Sequence, residues 1–542
     1  LTLAAQPVEY THTIQLDTAT HTLKIRSLLR IPSSRGAGDS LWLQLPSRST
    51  ASRQSALHQE LEEDQLLDLN YASAEDRGHI HFQQFQWNLE RPIQVKPGEF
   101  MSWALPDTLP DTLLLRMEYQ LKLPRRDFLG VGHAPDLYSL VDWLPRVPAY
   151  QNGHWQLTPV NSRQARFLSK DNFKVSISLP SSYKLASSLP KQSREKRTPE
   201  MSLWRISGPA RSLQLHFSSH FKRQKIPGGK ELYTLENHQL MPAYLSALEE
   251  EVSTFFQQEL DDSLDQHQRL VLLPDDEVAY QSAVMLSLGK ASKRFDQARK
   301  LAHARAQAAF RYRIHPHPME YSWMAYGIPY YYQMRFASAV YPEELWVPYG
   351  DSWLGRLLGL DEFSYAYQNR FLYLFLARQG LAQSVSTPLD SLSRLNFQAV
   401  SQAKTFLLLS HLRAFLTRNN YERGMQRYMH RKKDSPPEPP EFRKALAYFA
   451  AKPLDWWFEE SLPAEGIYDY RVTDFEYCST VTTATVKNTG HLSTPFSLTG
   501  IKDGKPVLTE WFAGHQGKRT IQLHHEDYDY VALNYHLFHP EV

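Results

Sequence analysis

The histidines His303, His315 and His317 are the first residues in this chain whose types and spacing could do chemistry, because imidazole is the commonest side-chain metal ligand. His315 and His317 lie in Ile314-His315-Pro316-His317-Pro318. The flanking prolines predict an extended loop, in which residues two apart point to one side. No carboxylate cluster accompanies them, so these loop histidines are expected to be solvated or to make ordinary hydrogen bonds. The pair His524-His525 falls in the last β-rich stretch and is a weaker metal candidate. Composition leaves Ser-His-Asp chemistry open, but no G-x-S-x-G elbow appears. Gly228-Gly229-Lys230 lacks the frame of a phosphate loop and reads as a turn. The single cysteine, Cys478, rules out an intrachain disulfide and a cysteine-based metal site. Tyr330-Tyr331-Tyr332 has two readings: it packs a helix and rims a cleft, or it stacks on a bound peptide.

The elements that must position these residues follow from composition and periodicity. At 542 residues the chain is too long for one hydrophobic core. Its 42% hydrophobic and 22% charged content is that of a globular protein. A formal net charge of +2, with no basic half, gives no footprint for nucleic acid. No apolar run reaches the length of a membrane-spanning helix. The start Leu1-Thr2-Leu3-Ala4-Ala5-Gln6 reads equally as the end of a secretory signal or as an ordinary flexible start. Low cysteine content suits the cytoplasm or a bacterial envelope. The ending His539-Pro540-Glu541-Val542 stops abruptly after a strand, as a trimmed chain would.

Residues 8 to about 222 read as β-rich. Tyr10, Ile14 and Leu16 mark one strand and Leu113 to Leu123 a longer one, while Phe173, Val175, Ile177 and Leu179 alternate strictly. Lys191 to Glu200 reads as a solvated, charged loop. From about 232 the pattern turns helical. Leu245, Leu248, Val252, Phe255, Phe256 and Leu260 fall at three- and four-residue spacings. Further helices are expected over Phe295 to Arg311, Glu362 to Arg378 and Val400 to Leu416. The proline-rich Arg431 to Pro440 breaks this pattern before a helical close at Trp456-Trp457-Phe458. From about 468 short strands return, and Lys487-Asn488-Thr489-Gly490 supplies a turn.

Three segments, in matching order and spacing, resemble the aminopeptidase N-type zinc metallopeptidases (gluzincins). Asp142 to Tyr150 (DWLPRVPAY) resembles the W-x-P-x-x-x-x-Y stretch near the end of that family's N-terminal β domain. Leu301 to Phe336 resembles its metal-binding helix, the connector and the next helix, which opens W-x-x-E-G. Ala403 to Phe458, ending Leu454-Asp455-Trp456-Trp457-Phe458, resembles the helical close of bacterial members. The resemblance covers nearly the whole chain. It implies a multidomain fold: an N-terminal β saddle over 1–225, a central thermolysin-like α+β domain, mainly helical, over 226–465, and a small C-terminal β sandwich over 466–542.

The same resemblance places the chemistry, and most of it is missing. The family mechanism needs zinc held by two histidines one helical turn apart and by a downstream glutamate, with the glutamate of H-E-x-x-H as general base. Here the matching window is His303-Ala304-Arg305-Ala306-Gln307. His303 keeps the first ligand position. Ala304 stands where the base should be, and a methyl group accepts no proton. Gln307 offers a neutral amide in place of the second imidazole. The third ligand position falls on Tyr326, a phenol in place of a carboxylate. Ala279-Tyr280-Gln281-Ser282 aligns with the strand whose glutamate binds a substrate amine, so Gln281 replaces that acid. Gln402 takes the position of the transition-state tyrosine, two residues before Lys404, which is kept.

Together these residues predict a pseudoenzyme: a catalytically inactive aminopeptidase-like protein, without zinc or another cofactor. It is expected to act as a peptide- or protein-binding or scaffold subunit of a bacterial cell envelope, in the periplasm or at the cell surface. The expected partner is a protein or an envelope assembly, or else a peptide contacting Tyr326, Tyr330 and Gln281. The alternative is an active zinc metallo-aminopeptidase with a non-standard metal site.

Overall fold

The computed structural model describes residues 6–35, 40–89, 98–135, 137–235, 242–260, 268–275, 280–347, 350–433, 435–466, 468–477, 482–524 and 528–537. Leu1–Ala5, Cys478, His525 and His539–Val542, which carry sequence readings, lie outside those residues. The molecule is multidomain α+β, with an N-terminal β-sheet region, a central helical region and small β sheets at the C-terminal end. It divides into two compact units, one of residues 1–249 with 264–292 and one of 250–263 with 293–542. No helix among the described residues is long and apolar enough to cross a membrane.

The first unit is built on a seven-stranded sheet. Its spatial order is Lys191–Lys196, Met201–Ala210, Asp171–Pro180, Glu9–Asp17, Thr22–Pro32, Thr112–Lys122 and His79–Trp87. Glu9–Asp17 pairs parallel with Asp171–Pro180, and the other pairings are antiparallel. Alternation decides which face is covered. Along Glu9–Asp17 every second residue, Tyr10 to Leu16, is buried, and Phe173 to Leu179 repeats the pattern in register, Tyr10 opposite Phe173. A four-stranded sheet follows: Phe221–Lys225 runs antiparallel to Glu231–Leu235, and Arg269–Leu272 and Met285–Leu288 add to it in parallel.

The segment that resembles W-x-P-x-x-x-x-Y is a buried polar knot. Asp171 is fully buried and accepts from Arg35 at 2.9 Å, from Arg146 at 3.2 Å and from the backbone of Val8 at 3.1 Å. Asp142 accepts from Ser212 Oγ at 2.6 Å and from the backbone of Leu213 at 2.8 Å. The Arg146 backbone exchanges hydrogen bonds with Gln44, and Val147 donates to the Tyr10 phenol. A buried carboxylate with only one of these partners would cost several kcal/mol; the full set offsets that cost.

In the second unit helices dominate, then two three-stranded sheets close the described chain. One holds Tyr470–Tyr477, Thr482–Asn488 and Gly517–Leu523; the other Lys505–Phe512, Phe496–Lys502 and Tyr530–Leu533. Tyr470, Val486, Phe496, Leu498 and Ile521 share one core.

Several sequence expectations are corrected. Lys191–Lys196 is an edge strand and not a loop. Its charged side chains stay in water while its backbone pairs with Met201–Ala210, which is how edge strands avoid further pairing. The helix expected from Glu362 begins only at Tyr367, because the backbone around Phe363 and Ser364 bonds to Trp346 and bridges to Leu345. Residues 48–77, read as β-rich, hold four short helices. The runs Arg269–Leu272 and Met285–Leu288, inside a stretch read as helical, are fully buried strands. Both are too short for period alone to identify.

Buried histidines give the first unit a pH dependence. His12 is lowered to about 4 by burial, and His216 to about 3 by burial and then by the positive charge of Arg126. Their folded values lie below the unfolded one, so the unfolded chain binds more protons as pH falls below about 6.5. The stability they contribute is complete above that value and is lost progressively toward pH 4 and 3. We expect the midpoint of thermal unfolding to fall between pH 6.5 and 5, above the range of ordinary carboxylates. Each histidine contributes about 1.4 kcal/mol per pH unit once well below 6.5. Replacing both with glutamine should make the decline in a calorimetric pH series shallower.

Candidate functional site

The helix Arg294–Ala306 continues without a break into the wider π-type turns of Gln307–Ile314 and stops at His315, whose backbone is left-handed at φ 65°. Trp323–Gly327 and Phe397–Lys404 are also π-type. Gln307, Tyr326 and Gln402 each fall in one of these segments. Such turns are rare in helices and frequent at functional sites.

Close packing holds the last two segments together. Ser322 Oγ lies 2.9 Å from Ser401 Oγ, and the Tyr326 ring meets the Phe397 ring edge-on at 5.2 Å. Gly327 is required there: a Cβ would stand 2.4 Å from the Ser401 carbonyl oxygen and 2.5 Å from the Thr405 side chain. The glycine that the resemblance pairs with a ligand glutamate is thus a packing residue.

His303 and Gln307 are one turn apart and share a face. The Gln307 amide nitrogen lies 2.8 Å from His303 Nε2. An amide nitrogen only donates, so the imidazole accepts at Nε2 and carries its proton on Nδ1. Among the described residues, His303 Nδ1 and Gln307 Oε1 are buried without a hydrogen-bond partner. Burial, then the charges of Arg299 and Arg311, lower the His303 pKa to about 3, so the ring is neutral. Arg311 is buried and its guanidinium lies 4.5 Å from the centre of the Tyr326 ring, a cation–π contact. Ala304 is buried and Gln402 is half-buried.

These groups do not fit zinc. The lone pair that would bind metal accepts the Gln307 hydrogen bond, the phenol of Tyr326 is a neutral ligand, and its ring carries a guanidinium. Two arginines that disfavour a proton on His303 would disfavour a dication more strongly. Among the described residues no three His, Cys, Asp or Glu side chains converge.

The remaining candidates are committed elsewhere. Gln281 belongs to the other unit. Its Nε2 donates to the Ser287 carbonyl and its Oε1 accepts from the Ser287 N–H, both at 2.8 Å, so the amide completes a strand. Tyr330 is half-buried and donates to Asn369 Oδ1 at 2.8 Å; burial raises its pKa well beyond the ordinary phenol range. Tyr331 and Tyr332 are fully buried packing residues. Lys404 is fully buried, donates to the Ala464 carbonyl at 2.7 Å and the Gln383 carbonyl at 3.2 Å, and is lowered to about 8 by desolvation. His315 and His317 are buried and not solvated. His315 Nδ1 donates to the Arg311 carbonyl at 3.0 Å, and His317 Nδ1 accepts from the Glu320 N–H at 3.3 Å.

Sequence reasoning missed Arg311. The signal was present, since 303, 307 and 311 fall at successive steps of four. Comparison with protein-family models and with curated proteins finds no match to this chain.

Gln307→Ala would leave His303 Nε2 buried and unpaired. We expect a loss of about 1–3 kcal/mol from the unfolding transition of the second unit, read by urea denaturation. An unchanged midpoint would mean that the pair contributes nothing.

Proposed function

We propose that this chain is a catalytically inactive, aminopeptidase-like protein that acts as a protein-binding or scaffold subunit of a bacterial cell envelope. The hydrogen bond from Gln307 to His303 Nε2 carries the reading, because it occupies the one imidazole lone pair left at the family's ligand positions. Without a metal and with Ala304 in place of a general base, no group there activates water.

The finer architecture, a β saddle, a thermolysin-like domain and a small β sandwich, is supported by the order of the parts. The seven-stranded sheet comes first, then the four-stranded sheet with three parallel strands, the helices and the paired three-stranded sheets. An envelope location rests on the resemblance to bacterial members.

Binding of a protein surface is favoured over a peptide in the old site. Tyr326 and Gln281 are buried. By contrast, the stretch 346–375 presents large apolar side chains to water, with Trp353 79% and Leu357 73% exposed. Leu354, Leu358 and Phe375 are exposed as well, and Trp346 stacks on Phe371 at 4.8 Å. Apolar surface of this extent marks interaction sites.

Metal analysis of the purified chain after zinc loading and desalting, with a panel of aminoacyl-anilide substrates, tests the reading. We expect far less than one zinc per chain and no turnover above buffer. Stoichiometric zinc with turnover that a chelator abolishes would establish the metallo-aminopeptidase instead.

A further inference from the structure

In the second unit, the short helix Trp353–Leu357 holds large apolar side chains outward. Ser352 caps it, its Oγ accepting from the Gly355 N–H at 3.1 Å. Gly355 is the buried residue of that helix, and a Cβ there would collide with the backbone of Gly350. With Gly355 facing inward, Trp353 and Leu357 share the outer side with Leu354 and Leu358, one turn apart in each pair, and all four are exposed. The base of this stretch is closed by the Trp346 N–H, which donates to the Phe363 carbonyl at 2.9 Å, and by a bridge from Leu345 to Ser364. There the rings of Trp346 and Phe363 meet the Phe371 ring at 4.8 and 5.4 Å. These contacts tie the stretch to the helix Tyr367–Arg378, on which Phe371 and Phe375 are also exposed.

The exposed parts of these six side chains come to on the order of 700 Å², at about 150–250 Å² for a whole large side chain. A standard protein interface covers about 800 Å² on each partner, so this face by itself is close to what one half of a stable dimer needs. Tryptophan and phenylalanine are also the residue types that interfaces enrich. The charges beside the face fit a copy of itself. Asp351, Arg356, Asp361, Glu362 and Arg378 are all exposed there, so both signs are present. Two copies related by a two-fold axis can set Arg356 of one against carboxylates of the other. An anionic lipid surface would instead meet the three carboxylates, whereas interfacial helices that lie on membranes carry lysine and arginine.

We propose that this face is covered by the same face of a second copy of the chain, giving a two-fold symmetric dimer. Trp353 and Leu357, the most exposed of the six, anchor the contact, and Arg356 sets its register. The proposal rests on the protein-binding reading of this stretch and names its partner.

Sedimentation equilibrium of the full chain, from about 1 to 100 µM, tests it. We expect a monomer–dimer equilibrium within that range. Trp353→Glu and Leu357→Glu should each weaken it by at least about thirtyfold, with far-UV circular dichroism unchanged. Tyr71→Glu, at an exposed apolar residue of the first unit, should leave it as it is. A chain that stays monomeric at the highest concentration, a dimer unaltered by both substitutions, or equal weakening by Tyr71→Glu would each overturn the proposal. So would a monomer that co-sediments with vesicles of phosphatidylcholine and phosphatidylglycerol, which would assign the face to lipid. None of these outcomes bears on zinc content or turnover, so the failure of this proposal is distinct from that of the pseudopeptidase reading.

Discussion

A charge removed from water has to meet an opposite charge, and in both units of this chain arginine supplies the cation. In the first unit Arg35 and Arg146 converge on Asp171. In the second, Arg335 and Arg418 converge on Glu259. Guanidinium serves this role better than ammonium, because it is always charged and offers several donors in a fixed plane. Lys404 shows the contrast: fully buried, its ammonium donates to two carbonyl oxygens, and desolvation lowers its pKa despite the opposing charge of Glu465.

The same economy accounts for the His303 region. Among the described residues no three acidic, histidine or cysteine side chains gather around His303 as a metal site would require. Arg299 and Arg311 bring positive charge instead, and His303 responds by staying neutral and accepting from Gln307. Arg311 finds its counterpart in the π face of Tyr326. These contacts are mutually consistent. A carboxylate at 326 would invite a metal or a salt bridge, whereas a phenol ring offers the guanidinium an aromatic face. The π-type turns and Gly327 meanwhile hold the helices in close contact.

Periodicity and chemistry were legible from sequence to different depths. Phe173 to Leu179 and Leu245 to Leu260 stated their elements outright, because one face of each is buried and the other is wet. Lys191–Lys196 gave no such signal: its structure comes from backbone pairing to a neighbour, which side-chain pattern does not encode. The buried runs RLVL and MLSL fit strand or helix equally well. At the candidate site, residue types alone picked out the positions that the resemblance assigns to metal ligands. They did not show how those side chains are used, since the Gln307 hydrogen bond and the Arg311 contact depend on side-chain placement. Gln281, aligned with a substrate-binding acid, instead closes a hydrogen-bond pair with Ser287.

The central claim is that His303 is sealed by its own helix and holds no metal. Anomalous scattering at the zinc edge, from crystals grown with excess zinc, tests it most directly. The account predicts no anomalous peak at bonding distance from His303 Nε2. A peak about 2 Å from that nitrogen, with Gln307 and Tyr326 also coordinating, would contradict it.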